Sequence, residues 1–249
     1  GFGEVSDLLE ITSTLQERQI DVKPDEIFNF VTNDLKTLAE HAIYSPGLNW
    51  RLGCLQQSLG PLRKGDFGFV FARPESGKTT FLASEVSHMA KQLSEGSGPI
   101  LWFNNEEQGE KVRLRVFQAV LGVTQDELWV DQESTQQRYK ELGGETIRIV
   151  DEPAIYKWDV ESVLEIIKPS LVIFDQIDKI KGFDADRNDL VYGKIYQWAR
   201  ELSKRYCPVI GICQSDGTGE GVKWLTMSHV ADAKTAKQAE ADWILGIGR

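Results

Sequence analysis

The chain has 249 residues, with 28 Lys and Arg against 38 Asp and Glu, giving a formal net charge of −10. Hydrophobic residues make up 41% and charged residues 27%, a balance that excludes global disorder and suits one large domain, or one domain with a small appendage. Cys54, Cys207 and Cys213 are odd in number and lack ligand spacing, which argues against a disulfide framework and a zinc site; no run approaches the roughly 20 apolar residues of a membrane span and no signal peptide is visible, so a cytoplasmic location is expected.

Residues 1–47 read as a helical arm or linker. An amphipathic run begins at Asp7-Leu8-Leu9-Glu10-Ile11 and ends near Ile20. A second opens at Pro24-Asp25-Glu26, with Ile27, Phe28, Phe30, Val31, Leu35 and Leu38 at roughly helical spacing, and Ser45-Pro46-Gly47 breaks it. From residue 48 to 249 the rhythm changes. Short apolar runs of β character lie at 67–71, 99–103, 147–150, 171–174, 208–212 and 243–247. Between them lie helical patterns at Thr79–Leu93, Gly109–Val120, Asp159–Ile167 and Asp189–Tyr206. Continuous apolar strands alternating with amphipathic helices predict an α/β domain with a mainly parallel sheet covered on both faces.

The strongest chemical signal is Ala72-Arg73-Pro74-Glu75-Ser76-Gly77-Lys78-Thr79, followed by Thr80. It fits the phosphate-loop pattern with Ala in place of the first Gly. Such a loop turns backbone N–H groups around phosphate oxygens, and the helix that follows presents its positive end to the same anion. Lys78 adds a point charge at the β and γ phosphates, and the Thr79 hydroxyl is a ligand for Mg²⁺. ATP and Mg²⁺ are therefore the expected cofactors. Asp175, ending the apolar run Leu171-Val172-Ile173-Phe174, is the expected acidic partner of that metal. Hydrolysis also needs a group that activates water. Glu106 and Glu107 follow the strand ending at Phe103, and Glu106 is the choice for general base, with Glu107 its rival. Gln214, after the strand 209–213, is the expected sensor of the γ-phosphate.

These residues resemble the DnaB-like replicative helicases within the RecA-like ATPases. That family carries Ala-Arg-Pro in its phosphate loop, as at Ala72-Arg73-Pro74. Phe103-Asn104-Asn105-Glu106 stands where the family has Phe-Ser-Leu-Glu, whose Glu is the catalytic base, and Arg115 stands where an Arg follows it. Leu171 to Asp175 is similar to the Walker B strand. Arg187-Asn188 with the long helix after it, Cys213-Gln214, and Ala239-Glu240-Ala241-Asp242-Trp243 follow in the family's order. The resemblance covers about residues 48–249. It implies a RecA-like P-loop fold, ATP hydrolysis at subunit interfaces of a ring, a homohexamer as the expected assembly, and DNA replication as the setting. Primase or other replication proteins are further expected partners. The chain departs from the family where Asp-Tyr-Leu-Gln becomes Asp175-Gln176-Ile177-Asp178, and where an Arg-rich block becomes Ala231-Asp232-Ala233-Lys234-Thr235-Ala236-Lys237. Both departures suggest a phage-type enzyme acting in a bacterial host cell. The family's arginine finger lies beyond the last matched strand, which leaves a longer parent chain, or Lys234, Lys237 or Arg249 as substitutes.

RecA-like rings hold single-stranded DNA through loops after the Walker B and sensor strands, here residues 179–187 and 215–223. The second is glycine-rich, as a loop that approaches a backbone closely needs to be. Lys181, Arg187 and Lys223 are the candidate phosphate contacts, and Phe183 and Trp224 the candidate stacking residues. The net charge read alone argues against nucleic acid, but half of it falls in the first 60 residues, most of them outside the expected ATPase core. Two other readings stand beside the helicase. One is a recombinase-type or clock-type RecA-like ATPase without unwinding. The other is an ATP-dependent switch or loader that binds a partner protein.

Overall fold

The computed structural model describes residues 30–44 and 47–248. The chain divides into two compact units, residues 1–45 and 46–249. Among the described residues of the first, helix α1 spans Leu35–Tyr44. The expected amphipathic run from Asp7 to Ile20 lies outside the described residues, as does the opening of the second run at Pro24. Residues 30–34 are not helical. The helix starts later than the hydrophobic spacing predicts because Asp34 caps it, its Oδ1 accepting from the Thr37 N–H at 2.8 Å. A short carboxylate at that position satisfies a donor that the first turn otherwise leaves unpaired.

In the second unit the elements run in order as α2 (Gly53–Leu59), β1 (Phe67–Ala72), α3 (Lys78–Ala90), β2 (Ile100–Asn104), α4 (Gly109–Leu121), α5 (Gln125–Leu128), α6 (Gln132–Glu141), β3 (Ile147–Asp151), α7 (Lys157–Ile167), β4 (Leu171–Asp175), α8 (Asn188–Arg205), β5 (Val209–Gln214), α9 (Lys234–Glu240) and β6 (Trp243–Ile247). The six strands form one sheet in the order β3-β2-β4-β5-β1-β6, and every pairing is parallel. All six expected strands are present, each shifted by no more than one or two residues. The short helices α2, α5, α6 and α9 are not legible in the hydrophobic pattern, because α6 is strongly polar and α2, α5 and α9 are only two turns or fewer.

The alternation of side chains along each strand builds two cores. Val70, Ile100, Trp102 and Ile173 face one way and pack with Leu82, Val86 and Met89 of α3 and Val112 and Val116 of α4. Phe67, Phe69, Phe71, Leu101, Phe103 and Phe174 face the other way, against Val160 and Leu164 of α7 and Ile195, Tyr196 and Ala199 of α8. Every position of β1, β2 and β4 is buried, which is why these strands read as unbroken apolar runs rather than alternating ones. Gly68 in β1 is required by a close approach: a Cβ there would lie 2.1 Å from the Trp243 ring of β6. Among the described residues no helix is long and apolar enough to cross a membrane.

Candidate active site

Parallel strands bring their C-terminal ends to one edge, and the register aligns those ends closely. Ala72 of β1 pairs with Gln214 of β5, and Asn104 of β2 pairs with Asp175 of β4. The segments that leave these four positions therefore converge on one crevice, where open α/β sheets bind ligands.

The phosphate loop leaves β1 at Ala72. Ser76 N–H donates to the Arg73 carbonyl at 3.3 Å, closing a turn. Glu75 and Gly77 both take left-handed backbone, with φ of 59° and 87°. For Glu75, a residue with a Cβ, this is strain of the kind that functional loops hold. Gly77 is the N-cap of α3 and offers no side-chain cap, so the first N–H groups of a 13-residue helix point into the loop, suited to an anion. Lys78, only 6% exposed, donates from Nζ to the carbonyls of Ala72 and Arg73 at 3.4 and 3.3 Å. Burial pushes its ammonium below the ordinary lysine range, while Glu106 and Asp175 pull it back. A buried cation held only by two long carbonyl contacts is a strong attractor for phosphate. Arg73 turns away from the loop, donating to the Ser215 carbonyl at 3.4 Å and lying 3.9 Å from Glu220. It ties the phosphate loop to the segment after β5.

Asp175 ends β4 at 1% exposure. Its Oδ2 accepts from the Thr79 hydroxyl at 3.4 Å. Its Oδ1 is buried without a hydrogen bond of normal geometry. Burial, with the Glu106 carboxylate adding to it, pushes the Asp175 carboxyl up to about 6; the Trp102 indole, Lys78 and Thr79 offset only part of this. Among the described residues no group of three His, Cys, Asp or Glu side chains is placed to hold a metal unaided. A hydroxyl and one carboxylate with an unused oxygen are instead what Mg²⁺ takes when phosphate and water complete its shell. Because the folded carboxyl titrates near 6 rather than at 3.8, the folded state holds the extra proton between those values. A metal ion taken up at Asp175 would have to displace that proton, so Mg²⁺-dependent nucleotide binding is expected to weaken as pH falls through about 6. Titration of a fluorescent nucleotide with and without Mg²⁺ checks this; a magnesium effect that persists unchanged to about pH 5 contradicts it.

The two candidate glutamates separate clearly. Glu107 forms a bidentate pair with Arg115, one of its two contacts at 3.0 Å, and that guanidinium holds its carboxyl below the usual range. Glu106 turns into the crevice. Its Oε1 accepts from Gln214 Nε2 at 3.3 Å, and its Oε2 from Gln176 Nε2 at 2.7 Å. Lys78, Thr79, Glu106, Asp175 and Gln214 thus meet in one place. Gln176 joins them, a residue that sequence reading noted only as a departure from a family pattern.

Lys181, Arg187 and Lys223 are exposed and lie outside this cluster. Lys181 sits over the Tyr156 ring at 5.9 Å, Arg187 pairs with Asp189 at 2.8 Å, and Lys223 lies 5.4 Å from the Trp224 ring. Trp224 is 77% exposed, whereas Phe183 packs edge-on against Trp198. The glycine-rich stretch after β5 is held at its root: Asp216 accepts from Thr218 N–H at 3.0 Å and from Lys234 Nζ at 2.6 Å, and Lys234 foremost lowers its carboxyl to about 2. Of the three suggested substitutes for an arginine finger, Arg249 lies outside the described residues. Lys234 is committed to Asp216. Lys237 is excluded: it is fully buried, with Nζ 2.7 Å from Asp178 Oδ2, and cannot reach a neighbouring molecule.

A six-stranded parallel sheet with this loop and this row of strand ends defines a P-loop NTPase of the RecA-like class. A family profile described as an AAA domain matches residues 43–219, and the chain belongs to that family. No curated protein sequence matches it. Among solved structures it is similar to one described as an ATPase domain, with 15% identity, 86% of this chain and 82% of that one covered, and a TM-score of 0.68. It is also similar to a DnaB-like replicative helicase described with its interactions with primase, with 18% identity, a TM-score of 0.65 and 96% of this chain covered. Of that helicase's own length, 59% is spanned. The fold shared with these two structures is the one the sequence resemblance implies.

Proposed function

We propose that the chain is the ATPase core of a replicative DNA helicase, hydrolysing ATP at subunit interfaces of a homohexameric ring and moving on single-stranded DNA. The observation that carries this reading is the convergence of Lys78, Thr79, Asp175, Glu106 and Gln214 at the aligned ends of four parallel strands. Lys78 and the loop 72–80 bind the phosphates. Thr79 and Asp175 are the residues that would hold Mg²⁺, which supplies charge neutralisation at the β and γ phosphates. Glu106 takes the proton of the attacking water, with its oxygens already directed into the crevice. Gln214 lies between Glu106 and the loop at 215–223, so loss of the γ-phosphate at its amide is passed to that loop. Residues 1–47 are the arm that couples neighbouring subunits and 48–249 the ATPase domain. Similarity to a helicase described with primase supports a primase as partner.

Lys181, Arg187 and Lys223 are the proposed DNA contacts, with Trp224 as the exposed stacking surface. Changing Lys181 and Lys223 together to Ala is expected to weaken binding to an oligothymidine and to flatten its salt dependence, since each phosphate contact contributes about 0.7 to the logarithmic slope on single strands. Fluorescence anisotropy at several salt concentrations measures this; unchanged binding rejects the two loops as the DNA site. The reading as a whole is tested by strand displacement with ATP and by native mass with and without nucleotide and single-stranded DNA. ATP turnover stimulated by DNA with no displacement would move the assignment to a recombinase-type ATPase. Negligible turnover with ATP-dependent capture of a protein partner would move it to a switch or loader.

A further inference from the structure

Gln176 follows Asp175 directly and is 3% exposed. Its backbone lies in the left-handed region, with φ 65° and ψ 68°, a conformation that a residue with a long side chain adopts only when its surroundings impose it. Two hydrogen bonds accompany this turn. The Gln176 carbonyl accepts from Asn105 Nδ2 at 3.4 Å, and its Nε2 donates to Glu106 Oε2 at 2.7 Å. The second is shorter than the contact of Glu106 with Gln214, at 3.3 Å. An extended or helical backbone at 176 would point the side chain elsewhere. The strain is thus coupled to the placement of one amide against one carboxylate.

We propose that Gln176 is a positioning residue for the water-activating carboxylate, holding Glu106 to the end of β4 through Nε2 while Gln214 is free to turn to the γ-phosphate. This rests on the reading of Glu106 as general base. One oxygen of Glu106 is fixed by Gln176 and the other is released for water when Gln214 leaves it. The same residue begins the turn Ile177–Lys179, whose next residues carry Lys181. The Lys179 N–H donates to the Gln176 carbonyl at 3.0 Å and the Ile180 N–H to the Ile177 carbonyl at 3.1 Å. A displacement of the loop at 180–187 is therefore passed to Glu106 through the Gln176 side chain, which puts Gln176 between the proposed DNA loop and the hydrolytic step.

The test compares turnover with nucleotide binding on the full chain, with ATP, Mg²⁺ and an oligothymidine. Gln176→Met keeps the volume and removes the donor. Gln176→Asn tolerates left-handed backbone and is one methylene too short to hold Glu106, so it serves if the Met variant does not fold. Either is expected to lower kcat by about 10- to 100-fold, the range of a lost orienting contact at a catalytic group, with the Kd for a fluorescent ATP analogue changed less than about two-fold. Wild-type kcat in a folded variant would overturn the proposal, and so would a parallel loss of kcat and nucleotide affinity, which marks a structural role only. Glu106→Gln run alongside separates the two failures: if it keeps turnover, the base assignment itself is wrong; if it abolishes turnover while Gln176→Met does not, only the role of Gln176 is rejected.

Discussion

Glu106→Gln is expected to lower ATP turnover by about 10²–10⁴-fold, the range for removal of a general base, while leaving nucleotide affinity unchanged. Gln keeps the size of the side chain and one carbonyl oxygen that can still accept from Gln176 or Gln214. What it loses is the ability to take a proton from water. Lys78, Thr79 and the loop backbone, which carry binding in this reading, are untouched. Steady-state phosphate release and a binding titration on the same preparation decide it. Turnover within a few-fold of the unsubstituted chain would send the assignment elsewhere, although Glu107, locked to Arg115, is poorly placed to take over.

Lys237→Met is expected to destabilise the folded domain by about 3–5 kcal/mol, the cost of leaving one member of a buried ion pair without its partner. Lys237 is fully buried, bonded to Asp178 at 2.7 Å and to the Ala231 carbonyl at 2.9 Å, with the rings of Tyr192 and Tyr196 at 4.7 and 5.3 Å. Burial already raises the Asp178 carboxyl above its ordinary 3.8, with Lys237 the main opposing influence. Without that lysine the folded state favours the protonated acid more strongly. A group whose folded pKa is raised contributes most at low pH and loses that contribution as pH rises through the folded value. The variant should therefore recover part of its stability on acidification below neutral. Thermal unfolding followed across pH, with Lys237→Met combined with Asp178→Leu as the apolar replacement of the pair, measures both parts. The double variant should regain much of the loss, since well-packed apolar substitutes for a buried pair are often neutral. A single variant as stable as the parent would show that the pair contributes nothing.

The architecture is largely legible in the residues themselves. Six apolar runs and the helical patterns between them become six parallel strands and their crossovers, and the strands buried on both faces, β1, β2 and β4, leave the plainest runs in sequence. The phosphate loop is equally plain, since its chemistry needs a fixed spacing of small, basic and hydroxyl residues within a few positions. Polar α6 and the late start of α1 are not legible. The first is decided by packing of a single buried residue, Tyr139, and the second by the cap at Asp34.

The choice between neighbouring residues belongs to tertiary structure. Glu106 and Glu107 are adjacent in sequence and chemically identical, yet one faces the crevice and the other is neutralised by Arg115, eight positions further along. Lys234 and Lys237 read alike as candidate fingers, but a single helical turn puts the first against Asp216 and buries the second against Asp178. Gln176 gains its proposed role only from a left-handed backbone that no local pattern announces. The fold class and the phosphate-loop pattern are legible in the residues alone, because both depend on short-range periodicity and spacing. Which acid faces the crevice, which acid each lysine pairs with and which amide reaches Glu106 depend on contacts between residues from eight to more than a hundred positions apart, and these are made only in the folded chain. The same holds for the charge. The total of −10 says that the surface is acidic on average, while the positions of Lys181 and Lys223, after β4 and β5, are set by the sheet.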